Sequence, residues 1–163
     1  MTPESIVFCD SPIEGVIIRP LRRFDDARGW LIELYRADEL EPAFCPVMAY
    51  VSQTLPGVVR GPHEHREQTD CFAMVGPGGF RVYLWDARSG SPTFGHRQVL
   101  VAGESNRLLI VVPPGVVHAY KNVSQVPGWV FNGPNRLYRG PGKAGPVDEI
   151  RYEDVPNCIF RVE

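Results

Sequence analysis

Short runs rich in β-branched and aromatic residues, each cut off by glycine, proline, serine or aspartate, recur along this sequence too closely for helices to lie between them. Eight stand out: Gly15–Arg22, Gly29–Tyr35, Val47–Leu55, Val58–His65, Cys71–Val75, Gly79–Trp85, Arg107–Val112 and Val116–Asn122. Such runs suit a pleated, half-buried surface. Between them, Gly76-Pro77-Gly78-Gly79 and Arg88-Ser89-Gly90-Ser91-Pro92 supply the residues that end a strand. Only Ala37–Ala43, carrying Asp38, Glu39, Leu40 and Glu41, tolerates a short helix, and nothing is long enough to cover a parallel sheet. The pattern predicts an all-β fold, an antiparallel sandwich or jelly-roll barrel. After Val147 it predicts one last strand and a short terminus.

With 163 residues, and 16 glycines and 16 prolines spread along the chain, one domain spanning 1–163 is expected. A net charge of −2 without any basic stripe argues against nucleic acid and anionic membranes as partners. Cys9, Cys45, Cys71 and Cys158 form no C-x-x-C pair, which predicts free thiols in a reducing cytoplasm. No apolar run is long enough to span a bilayer, and Met1-Thr-Pro-Glu-Ser5 lacks the basic and apolar parts of a secretory signal.

Two segments carry chemistry. In Gly57-Val-Val-Arg-Gly-Pro-His-Glu-His65, His63 and His65 lie two residues apart, so on a strand they share a face. If that face lines the barrel, two imidazoles converge on one cavity; the competing reading is a strand end with solvated histidines. Strict alternation puts Arg60 on the other face, unless Gly61-Pro62 forms a bulge that turns it inward. In Pro113-Pro-Gly-Val-Val-His-Ala-Tyr120, a Pro-Gly turn feeds a strand on which His118 and Tyr120 share a face. Alone, His118 reads as a hydrogen-bonded core histidine.

Together the segments resemble the paired motifs of the cupin superfamily, H-x-H with a later acidic residue and then P-x-G-x-x-H-x-x-x-N. His63, His65, Asp70 and His118 fall on the positions that bind metal in metal-containing cupins. Asp70 stands where glutamate is usual, and Arg107 where the second motif opens with glycine. Three imidazoles and a carboxylate suit Fe, Mn, Ni or Zn. Other blocks resemble one cupin branch, the dTDP-4-dehydrorhamnose 3,5-epimerase family. Asp26-Ala-Arg28-Gly29-Trp30-Leu-Ile-Glu33 is similar to its D-x-R-G-x-x-x-E signature, and Val58-Val-Arg60-Gly61-Pro-His63 to its V-L-R-G-L-H strand. Ser91-Pro-Thr-Phe-Gly95 matches its S-P-T-F-G turn, and Pro113-Pro-Gly115-Val-Val-His118 resembles its P-x-G-x-x-H.

The resemblance implies an isomerase acting on a nucleotide-linked 4-keto-6-deoxy sugar, without cofactor, in a cytoplasmic homodimer. The ketone acidifies the neighbouring carbons; a base removes one proton as an enolate forms, and an acid returns it on the other face. Histidine suits the base because its ordinary pKa lies near working pH. By resemblance His63 is that base, Arg60 contacts substrate and His118 sits in the pocket. Arg28 and Glu33 would help hold the nucleotide diphosphate across a dimer interface. The family's acid is a tyrosine, for which Tyr138 is the nearest candidate.

The departures bear on mechanism. Cys71 stands at about the position of a family lysine near the enolate oxygen, and Val82 or a neighbour where the family has an aspartate. The aspartate that orients the family's histidine lies in a C-terminal extension, and the sequence ends at Glu163 before that point. His65 is additional, and the sister 3,4-ketoisomerases share its R-G-x-H-x-H pattern; His65 therefore joins His63 and Tyr138 as a catalytic candidate. A metal-dependent enzyme using His63, His65, Asp70 and His118, a ketoisomerase-like proton shuttle and a non-catalytic sugar-nucleotide binder remain as alternatives.

Overall fold

Two sheets carry the chain, and the alternation of side chains along each strand explains what lies between and outside them. In the computed structural model, which describes residues 6–163, the strands run in chain order. They are β1 (Cys9–Asp10), β2 (Ile17–Pro20), β3 (Arg23–Asp26), β4 (Gly29–Ile32), β5 (Tyr50–Thr54), β6 (Val59–Glu64) and β7 (Asp70–Met74). There follow β8 (Gly79–Asp86), β9 (His96–Gly103), β10 (Leu108–Val112), β11 (Val116–Asn122), β12 (Gly128–Asn132) and β13 (Ile150–Arg151). One sheet has the order β1-β9-β8-β11-β6-β13 and the other β2-β10-β7-β12-β5, while β3 and β4 form a separate hairpin. All pairings are antiparallel except β1 with β9. The signal-peptide reading of Met1–Ser5 lies outside the described residues. Among those residues no helix is long and apolar enough to cross a membrane.

The sandwich core is made where the inward halves of the strands meet. Phe72, Met74, Ile110, Val112 and Val130 of the five-stranded sheet pack against Phe80, Val82, Leu84, Val116 and Tyr120 of the six-stranded one. The outward halves are covered too. Cys71, Ala73, Leu109 and Val111 lie beneath Leu34, Leu40 and Phe44, and Tyr83, Trp85 and Val117 beneath the tail residues Tyr152 and Phe160. Strands buried on both faces read as continuous apolar runs, which is why β8, β10 and β11 are so plain in the sequence. All four cysteines are free thiols.

All eight sequence-predicted strands form, and so does the strand after Val147. The short helix expected over Ala37–Ala43 does not: that stretch is turns, followed by one 3₁₀ turn at Pro42–Phe44. Pro42 disfavours the helical conformation in the residue before it, and Glu41 is extended (φ −60°, ψ 139°). The acids that made the stretch look helical instead pair with arginines, Asp38 with Arg36 and Glu39 with Arg19. Strands β1, β3, β9 and β12 carry too weak an alternation to be legible. The β3 sequence Arg-Phe-Asp-Asp is exposed throughout, and Val99 and Val101 on β9 are half-exposed.

Candidate active site

A bulge sets the site. On β11, His118 and Tyr120 are two residues apart, yet they pair with His63 and Arg60 of β6, which are three apart. The extra residue at Gly61-Pro62 breaks the alternation, so Arg60 and His63 line the same cavity. Glycine is required there. Gly61 has φ +87°, and a Cβ would lie 2.5 Å from the His118 carbonyl oxygen.

The cavity has a volume of about 1150 Å³ and opens between the end of the barrel and the segment after β12. His63 and His65 face it. His118 and Asp70 lie behind them, 2 % and 1 % exposed. The His63 and His118 rings meet edge to face with centroids 4.4 Å apart. His118 therefore supports the His63 ring from behind and does not line the cavity, contrary to its expected place in the pocket. On the walls stand Arg60, Tyr50, Tyr120 and Phe72, and Tyr138 comes in from the segment above. Arg60 is held by Thr54 Oγ1 at 2.9 Å and the Gln53 carbonyl at 2.8 Å.

Asp70 organises the histidines. Its Oδ2 lies 3.1 Å from His65 Nε2 and 3.2 Å from His118 Nε2, while Gln68 and Asn132 amides donate to Oδ1 at 2.9 Å each. Burial by itself would raise this carboxyl, but the His118 and His65 rings beside it hold it far below the usual carboxylate range. Burial would likewise lower His65; Asp70, with help from the Asp148 carbonyl, outweighs it and raises the ring to about 9. His65 Nδ1 meets the Asp148 carbonyl, and its Nε2 lies 3.1 Å from Asp70 Oδ2 with the Gln68 amide 3.2 Å away. His63 is driven the opposite way, to about 2, by burial and by the neighbouring His118. It is a neutral imidazole next to a charged one.

Carboxylates from the C-terminal segment reach His63. Its Nδ1 is buried without a hydrogen bond, and Glu153 Oε1 and Glu149 Oε1 lie 3.7 and 3.9 Å away. Glu153 is fixed on the bulge, where it accepts the Gly61 N–H at 3.1 Å. Glu149 pairs with Arg151 at 2.6 Å. The sequence, read as ending before any such acid, concealed this. The contact depends on β13 folding back onto β6, with Arg151 opposite His63, which no local spacing reveals. Asp148 fastens that fold-back: its carboxylate accepts the N–H groups of Arg66, Glu67 and Gln68 at 2.9–3.0 Å. Burial would raise its carboxyl, but these three donors hold it below its usual value.

Several expected residues stand elsewhere. Cys71 is on the outer face of β7, packed with Ala73 and Leu109, where burial pushes its thiol up to about 12, so it replaces no cavity cation. Val82 is in the sandwich core. Arg28 and Glu33 do not reach the cavity of their own chain. Arg28, with its side chain 90 % exposed, pairs with Asp26 on the β3–β4 hairpin, and Glu33 lies near Arg36.

As a metal site, His63, His65, Asp70 and His118 can each offer one atom, all within 4.8 Å of one another. Donor chemistry and spacing fit a first-row divalent ion. His118 Nδ1 donates to the Val116 carbonyl at 3.0 Å, which leaves Nε2 buried, without a hydrogen bond and 3.2 Å from Asp70 Oδ2.

A two-sheet jelly roll with clustered histidines at its mouth defines a cupin-type protein. The particular family follows from the match of residues 10–134 to the sequence model of dTDP-4-dehydrorhamnose 3,5-epimerase: the chain belongs to that family. It is 39 % identical over 127 residues to a probable low-salt glycan biosynthesis epimerase of Haloferax volcanii, covering 77 % of this chain and 81 % of the relative. It is 36 % identical over 116 residues to a spore coat polysaccharide biosynthesis protein of Bacillus subtilis, covering 71 % and 75 %. Among solved structures, a dTDP sugar isomerase from Desulfovibrio desulfuricans superposes with a TM-score of 0.77 at 28 % identity, covering 91 % of each chain. A 4-keto-6-deoxy sugar epimerase from the novobiocin cluster of Streptomyces spheroides shares the fold, with a TM-score of 0.70 at 23 % identity over 89 % of this chain and 76 % of that one.

Proposed function

We propose that the chain epimerises a nucleotide-linked 4-keto-6-deoxy sugar at a carbon beside its ketone, with His63 as the base. The observation that carries this reading is a neutral, cavity-facing His63 with carboxylates on one side and a cationic imidazole on the other. His63 takes the proton from the carbon next to the ketone, and the C–H electrons move to the carbonyl oxygen. The imidazolium that forms on His63 is then faced by Glu149 and Glu153 at 3.7–3.9 Å, which favours the charged ring in the transition state. His65, held by Asp70, offers the positive charge for the enolate oxygen that the family draws from its lysine. Tyr138, which lines the cavity, gives a proton to the opposite face as the enolate electrons form the new C–H bond and the ketone returns; His63 then releases its proton to solvent and Tyr138 regains one from it.

In this reading the active form is a cytoplasmic homodimer. The exposed Phe24, Trp30 and Leu31 of the β3–β4 hairpin suit an interface, and a partner would carry Arg28 and Glu33 towards the cavity they do not reach in their own chain. Incubation with dTDP-4-keto-6-deoxyglucose in deuterated water, followed by NMR, tests the reaction. Deuterium enters C3 or C5 if the reading holds. A failure to exchange with dTDP-, UDP-, GDP- and CDP-linked sugars overturns it, and migration of the ketone would turn it into a ketoisomerase.

A metal-dependent enzyme is favoured by one observation, the unpartnered His118 Nε2 facing Asp70. A bound divalent ion would supply Lewis-acid polarisation of the ketone, held by His63, His65, Asp70 and His118. Stoichiometric metal after purification without chelator, lost in His65→Ala, would establish it; metal-free protein with full activity would refute it.

A further inference from the structure

Stabilising an enolate takes a hydrogen-bond donor aimed at its oxygen as well as a nearby charge. His65 can lend only the charge. Its Nδ1 meets the Asp148 carbonyl, and its Nε2 lies between Asp70 Oδ2 at 3.1 Å and the Gln68 amide at 3.2 Å. Neither nitrogen has an N–H left for a substrate. Cys71, on the outer face of β7, offers none either. The Tyr120 hydroxyl is close to Ser52 Oγ, at 3.3 Å, and its residue is buried.

Tyr50 is placed differently. It stands on β5, at the edge of the five-stranded sheet, whereas His63 stands on β6 of the other sheet, and both line the cavity. A ring bound between the two sheets would therefore meet His63 from one wall and Tyr50 from another. The Tyr50 hydroxyl is oriented by its cross-strand neighbour Asn132.

The Asn132 amide can sit only one way round. Its Oδ1 accepts the Cys71 N–H at 3.0 Å, and its Nδ2 donates to Asp70 Oδ1 and to Tyr50 Oη, each at 2.9 Å. A backbone N–H fixes the oxygen end and a carboxylate fixes the nitrogen end. Tyr50 Oη is thus an acceptor toward Asn132, and its own proton points away from that amide. Among the described residues no other group hydrogen-bonds this hydroxyl. Desolvation, with the charges of Asp70 and Glu149 adding to it, pushes its pKa up to about 12, which keeps the proton in place. Glu149 is also one of the acids facing His63, so base and hydroxyl belong to the same end of the cavity.

We infer that Tyr50 is a further catalytic residue, whose hydroxyl donates a hydrogen bond to the ketone oxygen of the sugar and holds it as the enolate forms. The inference rests on the reading of His63 as a base beside a ketone. The C–H proton goes to His63, the C–H electrons become the new C=C bond, and the carbonyl π electrons move onto oxygen. Tyr50 keeps its proton throughout, and its hydrogen bond strengthens as that oxygen gains charge.

Tyr50→Phe keeps the ring and removes the donor. With dTDP-4-keto-6-deoxyglucose in deuterated water, NMR follows two rates, deuterium wash-in beside the ketone and formation of the epimer. Both depend on forming the enolate, so both should fall together, by about 10²–10³-fold in kcat with KM little changed. A 3-fluorotyrosine at position 50 retains the hydroxyl and lowers its pKa; it should keep both rates, and a loss there would mean that packing of the ring matters and not its donor. Wash-in that persists in Tyr50→Phe while epimer formation fails would make Tyr50 a proton donor to carbon and overturn the inference. Unchanged rates, or a rise in KM alone, would overturn it too while leaving the function standing. A wild-type protein that catalyses no exchange with any nucleotide form overturns both.

Discussion

The floor of the cavity and its rim are made of different material. On the floor, His63 and His118 face each other across paired strands, and Asp70 stands behind the histidines, 3.1 Å from His65 Nε2 and 3.2 Å from His118 Nε2, with Gln68 and Asn132 donating to its other oxygen. At the rim, residues 134–149 contain one short 3₁₀ turn and no strand, are largely exposed, and are tied to the rest of the chain by Asn135 and Arg136 at one end and Asp148 at the other. The floor falls within the family match and the rim beyond it. A rigid sheet is suited to holding a proton-transfer geometry that tolerates little displacement, and a loop to choosing what enters. The difference implies that changes to the floor should cost stability and turnover together, whereas changes to the rim should act on binding and closure.

The largest effect should come from the floor. Asp70→Ala leaves His65 and His118 buried without their shared carboxylate, and loss of one partner of a buried ionic cluster costs about 3–5 kcal/mol. Denaturant unfolding should show that loss; a change under about 1 kcal/mol would mean that the cluster is not the organising element.

A smaller effect is expected where rim meets floor. Asp148→Ala orphans three backbone N–H groups and should lower stability by about 1–3 kcal/mol. It should also speed proteolytic cutting between residues 136 and 147, with the rest of the chain protected. Cutting at the wild-type rate would show that the rim is held by something else.

The smallest effect is a pH dependence of stability, followed in chelator-treated protein. His63 titrates lower in the folded chain than its ordinary 6.5, so its share of stability is present above about 6.5 and declines as pH falls toward 2. His65 titrates higher, so its share is full below about 6.5 and declines as pH rises through about 9. Melting temperature should peak near pH 6.5, and His65→Asn should flatten the alkaline limb. An alkaline limb that persists in that variant would remove His65 from the account.

The floor was legible in the sequence and the rim was not, for physical reasons. His63 and His65 two residues apart, the Gly61-Pro62 interruption and the Pro-Gly turn before His118 are local signals, and each reports a side chain's direction on a strand. Asp70 was legible through the resemblance of its segment to the cupin motif; the alternation of β7, which puts it on the inner face with Phe72 and Met74 and turns Cys71 outward, emerged only from the structure. Glu149 and Glu153 carry no comparable signal. They meet His63 through a two-residue strand and a tail that packs on Tyr83 and Trp85, contacts more than eighty positions apart in the chain. The core-histidine reading of His118 agrees with its burial and its bond to the Val116 carbonyl, whereas the place in the pocket implied by the resemblance does not.

The most direct test of the central claim, that His63 moves the proton with the C-terminal carboxylates behind it, is the rate of deuterium wash-in at the substrate carbon. It should be measured side by side in the wild type, His63→Asn and the E149Q/E153Q variant. The account predicts a loss of about 10²–10⁴-fold in His63→Asn, the range for removing a general base. It predicts a loss of about 10-fold or more in the double variant, with nucleotide affinity retained in both. Exchange at the wild-type rate in His63→Asn would contradict it.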